Sequence, residues 1–421
     1  MGQWQFHTPE GVMDYLPEEC SLKRRLENKL RSVFNGRGYD EIETPGIEFY
    51  DVYAGSEEFT PQETLFKFFD HKGRILCLRY DGTVPAARIA ATICRDVKPP
   101  LRFSYLGNMY RFNEAGGGRQ REFTQGGLEL MGLDTPEADA EMIAAAIESA
   151  RELGIEDLQV SVGQVSFFKG LIEKWSLDDA AACQLQQMID TRETVALDEL
   201  VRQFGLSDTD QKILELMMNN DGSTTVIDSL LAIVDYEPCS DALNNLKSVL
   251  SVLEDYELMS YISIDLGMLQ SINYYTGIIF KGFTYGLGFP LFSGGRYNGA
   301  VAAFGRDLSA TGFSIGINFV MTALRRQGLI EQRKQDIVRL LYPDNLRKAA
   351  YTAADRWRRD GFRIVCEKIS SENNIFPKNE GIVSDTSAES LESAFAGIEN
   401  FESVIVIMEK QDKIRIYCKE C

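Results

Sequence analysis

Asp81, Gln125, Glu129 and the adjacent Tyr274 and Tyr275 are side chains whose types and spacing suit the recognition of a small polar ligand. Asp81 stands in the run LRYDGT. A carboxylate is the natural partner of an α-ammonium group, although an aspartate beside Gly82 is, taken alone, first a turn residue. Gln125 and Glu129 lie four residues apart in EFTQGGLELMG. Side chains alternate along a strand, so an even spacing sends both to one face. Phe123, Gly127 and Met131 share that parity, and such a mixture suits a pocket floor better than a solvated strand face. A Tyr-Tyr dipeptide in a strand is by itself aromatic packing. Cys418 and Cys421 form a lone CxxC at the end of the chain, and with no second pair and no nearby histidine they read as tail, not as a zinc site.

These residues need elements to aim them. Leu22, Leu26, Leu30, Val33 and Phe34 recur at helical spacing after Ser21, a possible N-cap, and Gly36 and Gly38 stop the pattern. GYDEIETPGIEF reads as a strand with a proline stop, FKFFDHKGRILCLRYDGT as a hairpin around Gly73, and TVPAARIAATICRD as a helix. SYLGNMYRF and EFTQGGLELMG then form an antiparallel hairpin whose tip is the glycine-rich EAGGGRQ. Thr135 and Pro136 open a helix that Gly154 closes, and LQVSVG alternates as a strand. Residues 167–258 turn helical, with Leu243, Leu246, Val249, Leu250 and Leu253 on one stripe. Strands return at MLQSINYYTGIIFKGFTYG, GLGFPLFSGGRYNG reads as a glycine-rich turn, and ATGFSIGINFVMTAL as strand then helix. Beyond Gln335 come a strand (IVRLLY), a helix with Leu346, Ala350 and Trp357, and the strands RIVC, SVIVIM and IRIYC, while SSENNIFPKNEG is loop-like.

With 421 residues, 44% apolar and 25% charged, the composition is that of a globular chain of two or three units. No apolar run is long enough to span a bilayer and the N-terminus lacks the pattern of a secretion signal, so a cytoplasmic protein without membrane contact is expected. Eight scattered cysteines suit reduced thiols. A formal charge of −19 offers no general basic footprint for a polyanion such as tRNA.

Three separated blocks together resemble the class II aminoacyl-tRNA synthetases, and among them the histidyl enzyme. LRYDGT is similar to the family's LRPEGT loop, in which an acid holds the substrate ammonium group; this implies ligand contacts for Asp81 and Thr83. GNMYRFNEAGGGRQREFTQGGLELMG resembles motif 2, with Arg111 at the position of the arginine that grips the nucleotide phosphate, and Gln125 and Glu129 on the returning strand. QSINYYTGIIF and SGGRYNGAVAAFG resemble the segments RGLDYYTG and GGRYDGL. By this resemblance Tyr275, beside Tyr274, and Glu129 hydrogen-bond the two imidazole nitrogens of histidine. TPEGVMDYLP and GYDEIETPGIE resemble the family's opening segment and its motif 1 around Pro45, which builds the family's dimer interface. The resemblance covers residues 8 to 326, apart from the helical stretch, and fades in the last domain.

Its departures fall on the groups that activate an amino acid. Gln270 replaces the arginine of RGLDYY, Asn318 and Phe319 replace the glutamate and arginine of GFxIGIERL, and Asn113 replaces the motif 2 glutamate that reads adenine. Bringing a carboxylate to a phosphate needs cations, and one positioned stabiliser is worth about 3 kcal/mol of barrier, so no aminoacylation is expected. The pattern resembles the non-catalytic, regulatory paralogues of the histidyl enzyme. It implies free histidine as effector, a separate short-form ATP phosphoribosyltransferase catalytic subunit as partner, self-association through motif 1, and neither cofactor nor metal nor tRNA. The expected fold is α+β: an antiparallel sheet flanked by helices over residues 1–166 and 259–327, a helical insertion at 167–258, and a small α/β domain at 335–421.

Overall fold

Leu22, Leu26, Leu30, Val33 and Phe34 line the buried face of α1 (Pro17–Gly36). The helix begins four residues before Ser21: Pro17 supplies a helical φ at the first turn and Glu18 and Glu19 face the N-terminal dipole, so Ser21 is an interior residue, not the cap. The structure is a computed structural model and describes residues 3–54, 60–112, 120–192, 197–219, 221–269, 274–330, 338–342, 344–368, 382–387, 404–410 and 413–419. The predicted hairpin tip from 114 to 119, the loop 370–381, Asn113, Gln270 and Cys421 lie outside those residues. The chain divides into two compact units, 1–330 and 331–421.

In the first unit, β1 (Asp40–Glu41), β2 (Ile47–Phe49), α2 (Asp51–Ala54), β3 (Lys67–Phe69) and β4 (Ile75–Leu78) follow α1. Gly73 takes a positive φ at the β3–β4 turn, as the hairpin requires. Then come α3 (Thr83–Ala91), β5 (Leu101–Tyr110), β6 (Glu122–Met131), α4 (Pro136–Glu152) and β7 (Leu158–Gln164). The helical stretch comprises α5 (Val165–Lys174), α6 (Asp179–Thr191), α7 (Leu197–Phe204), α8 (Asp208–Met218), α9 (Thr225–Leu231) and α10 (Glu237–Asp255). All five residues of the expected α10 stripe are buried. The unit closes with β8 (Ile262–Ile264), β9 (Ile278–Thr284), β10 (Phe292–Arg296), α11 (Gly299–Ala302), β11 (Ala310–Gly316) and α12 (Ile317–Arg326).

Eight of these strands form one sheet in the order β1-β5-β6-β11-β10-β9-β7-β8. The expected antiparallel pairing holds for the six central strands, whereas β1 on β5 and β8 on β7 pair in parallel, making the sheet mixed. One face is apolar: Leu128, Leu130, Phe280, Phe313, Ile315, Val160 and Val162 pack with Leu26 and Leu30 of α1 and Ile143 and Ile147 of α4. Two readings of the sequence are corrected here. The Tyr-Tyr pair precedes β9 and is not in a strand, and FSGGR is a central strand, not a turn. Gly294 and Gly295 are there because no Cβ fits: one at Gly294 would meet the Phe280 ring at 2.5 Å, and one at Gly295 the Tyr275 ring at 2.8 Å.

The second unit holds β12 (Val338–Tyr342), α13 (Arg347–Arg359), β13 (Ile364–Lys368), β14 (Ile382–Ser387), β15 (Val404–Lys410) and β16 (Lys413–Lys419), in a five-stranded sheet ordered β13-β12-β15-β16-β14. Ala350, Ala354 and Trp357 of α13 pack on Val338, Leu340 and Ile364. A strand then a helix then a parallel neighbour is the α/β pattern read from the sequence; β14 was absent from that reading.

Candidate functional site

The polar face of the central sheet is built in rows. Glu129 of β6 sits between Phe103 of β5 and Gly312 of β11, and Gly312 in turn faces Gly295 of β10. In the next row Gly127 lies between Tyr105 and Ser314, and in the third Gln125 lies between Gly107 and Gly316. Glycines leave the room that the large polar side chains occupy. A Cβ at Gly312 would overlap the Glu129 carboxylate, and one at Gly82 the Tyr105 ring. Gln125 and Glu129 are thus buried on one face, as their parity predicts.

Thr83 starts α3, and Asp81 lies just ahead of it, its Oδ1 accepting the Val84 N–H at 3.1 Å. Tyr274 and Tyr275 pack edge to face with centroids 4.6 Å apart, and Tyr274 stacks on Tyr297 at 5.7 Å. The Tyr297 hydroxyl donates to Glu129 Oε2, whereas Oε1 accepts no hydrogen bond among the described residues. Burial pushes the Glu129 carboxyl up to about 8; the Tyr297, Thr83 and Tyr105 hydroxyls oppose the rise and the Asp81 charge adds to it. Burial likewise raises Asp81 to about 6, against the Val84 N–H and the Arg111 and Arg79 charges. Burial raises the Tyr275 phenol too, with the charges of Glu129 and Asp81 in support. Asp81, Thr83, Tyr274 and Tyr275 nevertheless retain partial solvent access. Two acids and several phenols thus lie together in dense surroundings with residual solvent access, an arrangement whose chemistry suits a small polar ligand.

Arg111 lies over the rings of Tyr80 and Phe123, 4.5 and 5.1 Å from their centroids, and acts electrostatically on Asp81. Phe319 lies parallel to Phe123 at 6.3 Å and takes Phe289 edge-on at 4.6 Å. Asn318 is turned into the scaffold: its Oδ1 accepts the Thr124 N–H at 2.9 Å, and its Nδ2 donates to Tyr15 and Gln120. This end of the site is therefore aromatic, with Arg111 as its cation among the described residues named above.

The structure brings Asp81, Thr83, Glu129, Tyr274 and Tyr275 into mutual reach, with Gln125 on the same floor and Arg111 toward the aromatic end. Sequence reasoning missed Tyr105 and Tyr297. Tyr297 lies two residues past the strand glycine Gly295 in SGGRYNG, and its place near the glycines was the available signal; Tyr105 is visible only through its register with Gly127.

Fold and site together define a class II aminoacyl-tRNA synthetase-like protein. The histidyl-tRNA synthetase family model matches residues 11–320. The ATP phosphoribosyltransferase regulatory subunit of Acetivibrio thermocellus is 47% identical over 86% of this chain and 87% of its own, and that of Ruminiclostridium cellulolyticum is 43% identical over the same shares. A crystal structure of an ATP phosphoribosyltransferase regulatory subunit/histidyl-tRNA synthetase from Bacillus halodurans is 30% identical, covers 89% of this chain and 96% of its own, and superposes with a TM-score of 0.79. The chain belongs to the histidyl-tRNA synthetase-like family and, within it, to the non-catalytic regulatory subunits of ATP phosphoribosyltransferase.

Proposed function

We propose that this chain is a histidine sensor that binds the short-form catalytic subunit of ATP phosphoribosyltransferase, sustains its activity, and transmits feedback inhibition when histidine fills the pocket. The observation that carries this reading is the contrast between the two ends of the site. The acid and tyrosine end is complete, with Asp81 for the ammonium group and Glu129 and Tyr275 for the imidazole. At the nucleotide end Phe319 lies parallel to Phe123 where the synthetase pattern has a cation. A pocket that holds an amino acid but does not activate it is suited to sensing, and the loss of the arginines at 270 and 319 belongs to this proposal.

Two states of the assembly suffice for the mechanism: the catalytic subunit is active in one, and histidine binds better to the other. Differential affinity of about 1–3 kcal/mol supplies such a switch, and reciprocity requires the catalytic subunit's substrates to weaken histidine binding by the same factor. The polar pocket of Asp81, Thr83, Gln125, Glu129, Tyr274 and Tyr275 is the proposed effector site, with Arg111 as a candidate for the ligand carboxylate. Self-association through the motif 1 region is supported by the exposed apolar side chains of β2, Ile47 and Phe49, 51% and 45% accessible. A cytoplasmic location fits both roles; among the described residues no helix is long and apolar enough to cross a membrane.

The test is formation of phosphoribosyl-ATP by the short catalytic subunit, with and without this chain, across a histidine titration. Activation on mixing that histidine reverses and other amino acids do not is the expected result. If mixing changes neither activity nor inhibition, the reading fails, and histidine-dependent ATP–pyrophosphate exchange then tests the synthetase alternative.

A further inference from the structure

The helical insertion hydrogen-bonds the backbone at Leu269, ahead of the tyrosine pair, and at Tyr275, Thr276 and Gly277. Ahead of the tyrosines, Gln186 of α6 donates from Nε2 to the Leu269 carbonyl at 3.0 Å. Asp190, one turn further along the same helix, accepts the Leu269 N–H at 3.3 Å. Behind them, Lys169 of α5 donates from Nζ to the Tyr275 carbonyl at 2.9 Å, and Ser166 donates from Oγ to the Thr276 carbonyl at 2.9 Å. The Val165 N–H completes the set with the Gly277 carbonyl, also at 2.9 Å.

Spacings of three and four residues put Ser166 with Lys169, and Gln186 with Asp190, on one face of their helices. Each pair therefore aims at the segment as a unit. From the sheet, Thr276 donates its N–H to the Arg296 carbonyl at 2.7 Å, and its hydroxyl accepts the Asn298 N–H at 3.0 Å. The backbone from Tyr275 to Gly277 is thus held between the sheet, which carries Glu129, and α5, which carries none of the pocket side chains.

From this double hold we infer that the helical insertion sets ligand affinity, with Lys169 and Ser166 as positioning residues that place Tyr275 against the Glu129 floor. The inference rests on the histidine-pocket reading above. Its physical basis is geometric: a ring displaced by a fraction of an ångström weakens its hydrogen bond to a fixed ligand. It also makes α5 the element through which a partner seated elsewhere would loosen or tighten the pocket.

Lys169 is the best probe because it is solvent-exposed, so that Lys169→Met keeps the side-chain stem and removes only the donor. Calorimetric titration of the full chain with histidine is expected to show about three- to tenfold weaker binding in Lys169→Met, the scale of one net hydrogen bond. Lys169→Arg restores most of the affinity, and the unliganded thermal midpoint moves by less than about 2 °C, as for an ordinary surface change. In a Tyr275→Phe background the same Lys169→Met change is expected to cost less than about twofold, because the hydroxyl it places is gone. Equal affinity in Lys169→Met and wild type, or a full loss that persists in the Tyr275→Phe background, overturns the inference. Absence of histidine binding by the wild-type chain is a different result: it removes the pocket reading itself and the inference with it.

Discussion

Glu129 is the residue at which burial and charge are in sharpest conflict. Its carboxyl is raised from the ordinary value of 4.5 to about 8, so burial favours the protonated form near neutrality. A folded-state value above the unfolded one stabilises the fold below the unfolded pKa, and that contribution is lost as pH rises toward about 8. Wild type is therefore expected to lose stability, on the order of a few kcal/mol, between pH 5 and 9 in denaturant titrations. Glu129→Gln, which mimics the protonated acid, flattens that slope; an unchanged slope would show that Glu129 is not the group responsible. In the same variant histidine affinity should fall roughly 10- to 100-fold, since the amide, unlike the acid, cannot give up a proton to become a charged acceptor for the imidazole. Calorimetry reads this directly, and undiminished affinity would remove Glu129 from the pocket.

At the scale of elements, the site depends on strands that contribute space as well as side chains. β11 passes beside Glu129 through Gly312, where a Cβ would collide with the carboxylate and with the Leu128 backbone carbonyl, the latter at 2.5 Å. Gly312→Ala should lower the thermal midpoint and abolish histidine binding together, because the backbone oxygen cannot give way. A Gly312→Ala chain with wild-type affinity would show that the sheet has more slack than its register implies. On the opposite face Arg296 ties β10 to α4 through Asp139 at 3.0 Å, with Asp139 1% exposed. Removing one member of a buried pair strands the other charge, so Asp139→Ala is expected to cost about 3–5 kcal/mol in chemical denaturation. A cost below about 1 kcal/mol would mean that Arg296 finds compensation from Asp134 and the carbonyls of Leu133 and Thr135.

For the whole molecule, every pocket residue lies within residues 1–330, the first compact unit. A chain ending at Ile330 is expected to bind histidine within about twofold of the full protein, a difference of less than about 0.5 kcal/mol. Loss of binding on truncation would give the second unit a part in the pocket. The proposed dimer makes a separate prediction: Phe49→Glu, which puts a charge in the exposed apolar face of β2, should convert it to monomers in sedimentation velocity, leaving the fold intact. An unchanged sedimentation coefficient would move the self-association surface away from motif 1.

The sequence by itself determined the periodic elements and the pairing of polar residues by parity. The α1 and α10 stripes follow from helical periodicity and the β5–β6 hairpin from two strand-like runs around a glycine-rich loop, and Gln125 and Glu129 share a face because side chains alternate along a strand. The blocks around Asp81, Arg111 and Tyr275 also made the family legible. What required the tertiary structure were features that depend on residues distant in the chain. Ser21 looked like a cap because local chemistry permits it, yet Pro17 opens α1. FSGGR looked like a turn because glycine usually marks one, yet Phe280 and Tyr275, brought over it from another strand and its preceding segment, require strand glycines. Tyr105 and Tyr297 join the pocket only through strand register and ring stacking. The raised carboxyls of Asp81 and Glu129 likewise arise from packing, because desolvation is imposed by everything around a group and is written at no single position of the chain.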